Sequence, residues 1–204
     1  MCVGSLRDLG KFHKIKTMLY TRKGDGGTTK TFGCDQRISK SSIVAEALGS
    51  LDEANSYIGF ARAKSRDRKA IFKIEKEELK FADVILEVQQ NLFIVQAEVA
   101  GSTLVITEDK VKRVEYVVDE IEKVLPPIKS FFIPGESLLG AIFDVARTLI
   151  RRAERRVVAA REEGKINLSA ETAQYLNRLS SLLYALARMA SHVEGREEIK
   201  PSYK

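Results

Sequence analysis

The longest helical pattern in the chain covers residues 136–164, directly after a break at Pro134-Gly135. Its apolar positions recur at steps of three and four residues, which places them on one face of an α-helix. These positions are Leu138, Ile142, Val145, Leu149, Ile150, Ala153 and Val157. Glu136 opens the pattern, where the helix dipole favours an acid, and Gly164 closes it. The pattern predicts an amphipathic helix with one buried face.

Four further segments show the same period and predict four more helices. They cover residues 43–63, a stretch that ends near Leu104, residues 109–124 before Pro126-Pro127, and a stretch capped by Asn167 or Ser169 that ends near Glu194. Residues 64–80 are dense in charge and favour a loop that leads into the second helix. Five long helices with short connections and little strand signal predict an all-α fold, a five-helix bundle.

The length of the chain and its two ends define the expected domain. The 204 residues suffice for one domain with a substantial core. Residues 1–18 show no clean period and are expected to form an N-terminal extension. Residues 195–204 are polar and contain Pro201, so we expect a C-terminal tail there. The helical domain is therefore expected to span residues 19–194, with a glycine-rich loop over residues 19–40.

Composition restricts the compartment and the partners. Cys2 and Cys34 form no CxxC pair, which favours a reducing interior. No run of 18 apolar residues and no signal-peptide pattern is visible, so we expect a cytoplasmic protein that does not enter a membrane. The formal net charge of +6 favours an anionic partner without requiring nucleic acid, because acids are also plentiful.

The predicted helix over residues 136–164 carries a stripe of arginines beside its apolar face. Arg147, Arg151 and Arg155 follow at intervals of four, and residues 147–161 hold six arginines and one acid, Glu154. Like charges at this spacing repel by about 0.2–0.5 kcal/mol per pair in an isolated helix. The planar guanidinium group binds phosphate or carboxylate in a two-pronged manner. The stripe is either a basic solvated face or an anion-binding site.

The loop over residues 19–40 combines glycines, threonines and basic residues. Its members are Gly24, Gly26, Gly27 and Gly33, Thr21, Thr28, Thr29 and Thr31, and Arg22, Lys23, Lys30, Arg37 and Lys40. Glycine lets backbone N–H groups approach an anion closely, and threonine hydroxyls add donors. The loop matches neither the P-loop nor the GxGxxG pattern. It is either a phosphate-binding loop or a surface hairpin with a glycine turn.

Histidine is too scarce for several common kinds of active site. His13 and His192 are the two histidines, and neither lies in a Glu-x-x-His pair. A ferritin-like di-iron centre and a serine or cysteine hydrolase are therefore excluded. An enzyme with this sequence is expected to work by holding and orienting reactants, and its nucleophile could belong to a cofactor.

Several stretches together resemble one family, the PduO-type ATP:cob(I)alamin adenosyltransferases. They are YTRKGDGGTT (20–29), ALGSLDEANSYIG (47–59), the Pro134-Gly135 break with VARTLIRRAERRVV (145–158), and NRLSSLLYALAR (177–188). The resemblance covers residues 19–192 and implies a five-helix bundle assembled as a homotrimer, with an active site at each subunit interface. It also implies transfer of the 5′-deoxyadenosyl group of ATP to cob(I)alamin, with Co(I) as the nucleophile, Mg²⁺ as cofactor and triphosphate as the second product.

The resemblance assigns the nucleotide site residue by residue. The phosphate loop maps to Thr21, Arg22, Gly24, Asp25, Gly27, Thr28 and Thr29, and the basic residue that follows it maps to Lys40. Further nucleotide contacts map to Arg151, Arg152, Glu154, Asn177 and Arg178. Glu154 is also the residue that the resemblance places near the metal.

The resemblance assigns the corrinoid side to three residues. Asp52 and Arg147 match a salt bridge between subunits, and Phe131 matches the aromatic residue that covers the lower face of the corrin. Exclusion of the lower axial ligand would make the cobalt four-coordinate and ease the reduction of Co(II) to Co(I). Because Phe132 follows directly, the sequence leaves open which of the two rings has this role.

Two positions depart from the family pattern. Gly26 stands where the family commonly has a loop lysine, and Ser181 stands where it usually has an aspartate. These departures keep one alternative open, a regulator that binds ATP or corrinoid without catalysis. The arginine stripe leaves a second alternative, a basic helical module that binds nucleic acid or an acidic partner. A corrinoid reductase and a cobalamin-dependent mutase are candidate partners that the sequence does not decide.

Overall fold

The fold was analysed in a computed structural model, which describes residue 20 and residues 22–31, 37–67 and 70–203. The predicted N-terminal extension lies outside the described residues, as do Thr21 and both cysteines. No helix in the described part of the chain is long and apolar enough to cross a membrane.

The described residues form five helices, as the periodicity predicts. They are α1 (Ile43–Asp67), α2 (Phe81–Val99), α3 (Glu108–Val124), α4 (Leu138–Glu162) and α5 (Ala170–Val193). Helix α4 packs against both α1 and α5, while α2 packs on α1 and α3 packs on α5. The all-α prediction is therefore confirmed, and the arginine-rich helix α4 lies between α1 and α5.

The described part of the chain also contains four short strands that the sequence analysis missed. Strands β1 (Thr28–Lys30) and β2 (Arg37–Ser39) pair in antiparallel fashion, so part of the glycine-rich loop is a hairpin. Strands β3 (Ile71–Lys73) and β4 (Glu78–Lys80) form a second antiparallel hairpin. The prediction of a loop over residues 64–80 was therefore wrong.

The second hairpin is held by apolar residues that the surrounding charges hide in the sequence. Phe72 and Leu79 are buried, and the ring of Phe72 lies 4.6 Å from that of Phe81, the first residue of α2. The predicted helix limits shift accordingly. Helix α1 continues into the charged stretch as far as Asp67, and α2 ends at Val99, five residues before the predicted end.

A buried acid on α2 fixes the start of α5. Ser169, one of the two predicted caps, accepts a hydrogen bond from the Thr172 N–H at 3.3 Å. Glu98 accepts hydrogen bonds from the Ser169 N–H at 2.6 Å and from the Thr172 hydroxyl at 2.5 Å. Glu98 is almost fully buried, so all its polar partners must come from the protein. This contact sets the position of the helix that carries Asn177 and Arg178.

Helices α4 and α5 approach each other closely at Gly140. A Cβ atom at this position would lie 2.8 Å from the carbonyl oxygen of Ala187 and 2.9 Å from the hydroxyl of Ser191. It would also lie 2.7 Å from the hydroxyl of Ser137, which caps α4 by accepting the Gly140 N–H. The absence of a side chain therefore allows the two helices to pack together.

We expect Gly140→Ala to destabilise the protein by about 1–3 kcal/mol, the usual cost of overpacking. Gly49→Ala is a matched control, because a Cβ at Gly49 on α1 would meet no atom within 4 Å. Alanine is the better helix former, so the control should be neutral or slightly stabilising. Urea denaturation would measure both free energies of unfolding. Equal stability of the two variants would contradict the close packing at Gly140.

Candidate active site

The helices α4 and α5 carry six of the sixteen predicted site residues, several of them along the seam where the two helices meet. The two helices run antiparallel: the Asn177 amide donates to the Glu154 carboxylate at 3.0 Å at one end, and Gly140 faces Ser191 at the other. Between these ends, the guanidinium group of Arg147 lies 5.9 Å from the ring centroid of Tyr184. The seam therefore connects the predicted nucleotide residues to the predicted corrinoid residues.

A cavity of about 590 Å³ opens along the Gly140 half of this seam. Arg147 and Arg151 of α4 line it from one side, and Tyr184 and Arg188 of α5 line it from the other. Residues 128–136, which precede α4, form a further wall. The cavity thus combines an apolar wall with arginine side chains, which suits a large organic ligand that carries polar groups.

The two adjacent phenylalanines differ in their surroundings. Phe131 lines the cavity and is 80% exposed. Phe132 is only partly exposed, and the guanidinium group of Arg188 lies 5.2 Å from its ring centroid. The structure therefore distinguishes an aromatic ring that is free to contact a ligand, Phe131, from one that is packed against the protein.

The arginine stripe of α4 divides into paired and unpaired members. Arg152 forms an ion pair with Glu53, and Arg156 lies 3.4 Å from Glu46, so acids of α1 neutralise this side of the helix. Arg147 donates to Asp144 at 3.1 Å. Arg151 has no acidic partner within the described residues. An exposed, uncompensated guanidinium group on a cavity wall is suited to bind an anion.

Beyond Arg151, a chain of polar contacts fixes the residues at the other end of the seam. Glu154 accepts from the Asn177 amide, and the Asn177 carbonyl oxygen accepts from Arg178 at 2.9 Å. Arg178 also donates to Glu115 of α3 at 2.9 Å. Glu154, Asn177 and Arg178, which the resemblance assigns to the nucleotide, therefore lie together in the fold.

The glycine-rich loop is a tight turn followed by the β1–β2 hairpin. Gly27 has a φ of +76°, a conformation that glycine adopts without strain. A Cβ at Gly24 would lie 3.3 Å from the Lys40 Nζ, so the missing side chain lets this ammonium group approach the turn. Arg37 fastens the hairpin by donating to the Thr28 hydroxyl and the Thr28 carbonyl oxygen, both at 2.7 Å. These contacts connect the turn to the hairpin within the described part of the loop, residues 22–31 and 37–40.

A second cavity, of about 520 Å³, lies between this hairpin, α1 and α2. Thr29 and Lys30 line it together with Asp52 of α1 and Phe93 of α2. Asp52 and Phe93 are both exposed. Within one chain, Asp52 thus lines a different cavity from Arg147, and Thr29 lines a different cavity from Arg151.

Comparison with known proteins identifies the family of this chain. A sequence profile described as cobalamin adenosyltransferase matches residues 19–190. The chain belongs to this family. The resemblance that the sequence motifs indicated is therefore confirmed.

Curated members of the cobalamin adenosyltransferase family match along most of their length. The chain is 36% identical to the corrinoid adenosyltransferase of Mycobacterium leprae over 186 residues, which are 86% of this chain and 92% of that protein. It is 34% identical to the corrinoid adenosyltransferase of Bacillus subtilis, with coverage of 89% and 91% respectively.

Solved structures of the family share the fold. A variant of the PduO-type ATP:corrinoid adenosyltransferase from Lactobacillus reuteri, complexed with cobalamin and ATP, superposes with a TM-score of 0.79 at 27% identity. The alignment covers 91% of this chain and 97% of that one. A second variant of that enzyme, complexed with ATP, gives a TM-score of 0.77 at 26% identity and covers 90% and 100% of the two chains.

The structure adds cavity residues that the sequence analysis did not select. Tyr184 and Arg188 lie seven and eleven residues after Asn177, a spacing that places all three on one face of α5. That face meets the face of α4 formed by Asp144, Arg147 and Arg151. The helical period thus places Tyr184 and Arg188 on the same face of α5 as Asn177. The sequence does not show that this face packs against α4, so the two residues could not be assigned to the site.

The carboxylates of this adenosyltransferase suit a metal ion that is bound mainly by the phosphates of a substrate and only in part by the protein. In the parts of the chain that the structure describes, no three histidine, cysteine, aspartate or glutamate side chains are grouped closely enough to hold a metal ion. Glu154 supplies a single carboxylate at the nucleotide end of the seam. Mg²⁺ is commonly bound by one or two carboxylates together with substrate phosphates, so Glu154 suits this ion.

Proposed function

We propose that this protein transfers the 5′-deoxyadenosyl group of ATP to the cobalt of cob(I)alamin. The observation that carries the proposal is the cavity between α4 and α5, where the exposed ring of Phe131 and the unpaired Arg151 line one space. In the reaction, the Co(I) electron pair attacks the ribose C5′ carbon and forms a Co–C bond. The C5′–O bond breaks, and triphosphate leaves with its electron pair. The cobalt thereby becomes Co(III).

The nucleotide would lie at the Glu154 end of the seam and extend toward the glycine-rich loop. Arg151 and Arg152 would contact its phosphates, and Asn177 and Arg178 would orient it. The turn with Arg22, Gly24, Asp25 and Gly27, together with Thr28, Thr29 and Lys40, would supply backbone, hydroxyl and ammonium donors. Glu154 would help to hold Mg²⁺, which would supply positive charge to offset that of the triphosphate.

The corrinoid would bind in the cavity with its lower face toward Phe131. An apolar ring below the cobalt leaves no room for a lower axial ligand, and none of the residues that line this wall is a histidine. Four-coordinate cobalt is easier to reduce to Co(I), because no axial electron pair raises the energy of the orbital that accepts the electron. Phe131 would thus favour the reactive oxidation state without taking part in bond making.

We further propose a homotrimer in which each active site is shared by two subunits. Two observations support it: Asp52 and Arg147 line different cavities of one chain, and Asp52 is exposed on α1. A contact between them across an interface would join the second cavity of one subunit to the first cavity of its neighbour. The glycine-rich loop of one subunit would then approach Arg151 of the next.

Reversing the charge of Asp52 or of Arg147 is expected to impair both assembly and corrinoid turnover. Reversing both charges in one variant is expected to restore part of the assembly and part of the turnover. Asp52→Arg and Arg147→Asp alone should each lower the turnover of cobalamin at least about tenfold, because each leaves like charges facing each other. The double variant should recover a substantial part of the loss. Turnover and the mass of the assembly by light scattering would be measured together. An additive loss in the double variant would contradict the pairing.

The products distinguish the transferase from a regulator that only binds or hydrolyses ATP. We expect one triphosphate for each adenosylcobalamin formed, and no formation without reduced corrinoid. Ion chromatography of the inorganic products, combined with absorbance of the corrinoid, measures this ratio. Release of phosphate or pyrophosphate in place of triphosphate would contradict the proposed cleavage of the C5′–O bond.

The proposed reaction also indicates which classes of enzyme supply its substrate and use its product. Because Co(I) is strongly reducing, a corrinoid reductase must supply it in a reducing compartment, for which we propose the cytoplasm. The product is a cofactor, so an enzyme that depends on adenosylcobalamin, such as a mutase, must receive it.

A further inference from the structure

Residues 195–203 follow α5 and lie back against the cavity wall. Glu198 in this segment accepts two hydrogen bonds from Arg188 of α5, at 2.6 Å from Nε and at 2.7 Å from Nη2. The same Nη2 donates to the carbonyl oxygen of Pro126 at 2.9 Å. The sequence predicts a polar tail here, yet the structure ties the segment to α5 by a two-pronged ion pair.

These contacts hold a stretch that has no regular structure of its own. We call residues 126–133 the aromatic segment, because they contain Phe131 and Phe132 between α3 and α4. Arg188 donates a hydrogen bond to the carbonyl oxygen of Pro126, at the start of the aromatic segment. At its end, the Ile133 N–H donates to the carbonyl oxygen of Ile199 at 2.8 Å. The guanidinium group of Arg188 also lies over the ring of Phe132. The aromatic segment is thus fixed before, beside and after Phe131.

Phe131 depends on this support for its position. Its ring is 80% exposed, so packing of the ring itself contributes little to where it lies. Arg188, by contrast, is only 7% exposed, and its partner Glu198 is partly buried. Separating such a pair would leave the Arg188 charge buried without a partner, which is costly. The rigid contacts around Phe131 therefore determine how far its ring enters the cavity.

We propose that Arg188, Glu198 and the backbone of Ile199 form a clasp that positions Phe131 against the lower face of the corrinoid. The inference rests on the proposed function, since it concerns exclusion of the lower axial ligand. Arg188 and Glu198 are positioning residues in this account: they act through the aromatic segment, and Phe131 is the residue that contacts the substrate.

A comparison of two substrates separates positioning from a general contribution to folding. Cobalamin carries a nucleotide whose base can ligate the cobalt from below, whereas cobinamide lacks this nucleotide. A displaced Phe131 would therefore impair the reaction of cobalamin more than that of cobinamide. A loss of folded protein would reduce both reactions by the same factor.

Glu198→Gln keeps the size of the side chain and removes the charge of one partner. We expect it to lower kcat/KM for cobalamin about tenfold and to change kcat/KM for cobinamide less than about twofold, as expected for loss of one charge-assisted contact. Glu197→Gln is the matched control, since its carboxylate forms no ion pair within the described residues. The control should leave both values unchanged.

The spectrum of the bound cobalt gives a second readout. With ATP and cob(II)alamin, the Glu198→Gln variant should form less four-coordinate Co(II), measured by electron paramagnetic resonance, than the wild type or the control. Thermal denaturation would establish that each protein is folded. If the glutamine variant does not fold, Glu198→Asp, which keeps the charge but shortens the reach, is expected to show the same preferential loss with cobalamin.

An equal loss with both corrinoids in a folded variant, or no loss with either, would overturn the clasp while leaving the proposed function intact. An inactive wild type with both corrinoids would instead overturn the proposed function, and the clasp with it. The ratio of the two kcat/KM values, measured beside the wild type, therefore distinguishes the two failures.

Discussion

Replacing Arg151 by alanine is expected to lower kcat/KM for ATP about tenfold to a hundredfold. Arg151 lies on the wall of the first cavity and has no acidic partner among the described residues, so its charge is available for the triphosphate. Loss of a charge-assisted hydrogen bond costs about 1.5–3 kcal/mol, which corresponds to this range. Triphosphate gains negative charge as the C5′–O bond breaks, so part of the effect should appear in kcat.

Arg161→Ala is the control for the Arg151 variant. Arg161 is also an exposed arginine of α4, but it lies near the end of the helix and does not line the cavity. Steady-state kinetics with ATP as the varied substrate would measure both variants, and the control should retain wild-type values. A similar decrease in the two variants would indicate that general positive charge attracts ATP, and it would contradict a specific contact at Arg151.

Replacing Phe131 by alanine is expected to lower cobalamin turnover about a hundredfold while the free energy of unfolding changes by no more than about 0.5 kcal/mol. Its ring is 80% exposed, and substitutions at such surface positions usually have small effects on stability. The loss of activity should be large, because without the ring a lower axial ligand can reach the cobalt and oppose its reduction to Co(I). A change of about 1 Å in the geometry of a site can reduce a rate about a hundredfold. Turnover and urea denaturation of the same preparation measure the two effects.

Phe132→Ala provides the contrast to the Phe131 variant. Its ring is partly buried beside Arg188, so its loss should lower the free energy of unfolding by about 1–3 kcal/mol. The two neighbouring residues should thus separate activity from stability. If Phe132→Ala lost activity as strongly as Phe131→Ala and remained as stable as the wild type, the assignment of Phe131 as the ring that contacts the substrate would be wrong.

Hydrophobic periodicity was sufficient for the five helices and insufficient for the strands. Each helix buries a stripe that repeats over several turns, and this is a strong signal over 17 to 25 residues. Each strand has three residues, which is too short to show a clear alternation of apolar and polar positions. In the second hairpin, Phe72 and Leu79 supply the buried face, but lysines and glutamates surround them. The charged stretch therefore resembled a loop.

The candidate site was predictable where motifs are local. The contacts among Glu154, Asn177 and Arg178 connect residues that the resemblance had already assigned to the nucleotide. The clasp was not predictable in the same way, because Arg188 and Glu198 are ten residues apart and meet only after the chain leaves α5 and turns back. The sequence alone left Phe131 and Phe132 equivalent. Their different exposure follows from the packing of Arg188 on Phe132.

Asp52 shows that contacts between subunits are difficult to predict from the sequence of one chain. Its position on α1 beside the second cavity follows from the helical pattern, whereas its partner would lie on another subunit. Helical periodicity places residues on the surface of a helix without distinguishing solvent from an interface. The charge-reversal pair is therefore the appropriate test of the shared site.

Anaerobic turnover tests the central claim most directly. Purified protein would be mixed with Mg-ATP and chemically reduced cob(I)alamin, and the visible absorbance would be followed. We predict the spectrum of adenosylcobalamin, light-sensitive because of its Co–C bond, and a rate that depends on both ATP and protein. An unchanged cob(I)alamin spectrum, with ATP bound but intact, would contradict a transferase and favour a regulator that binds the nucleotide.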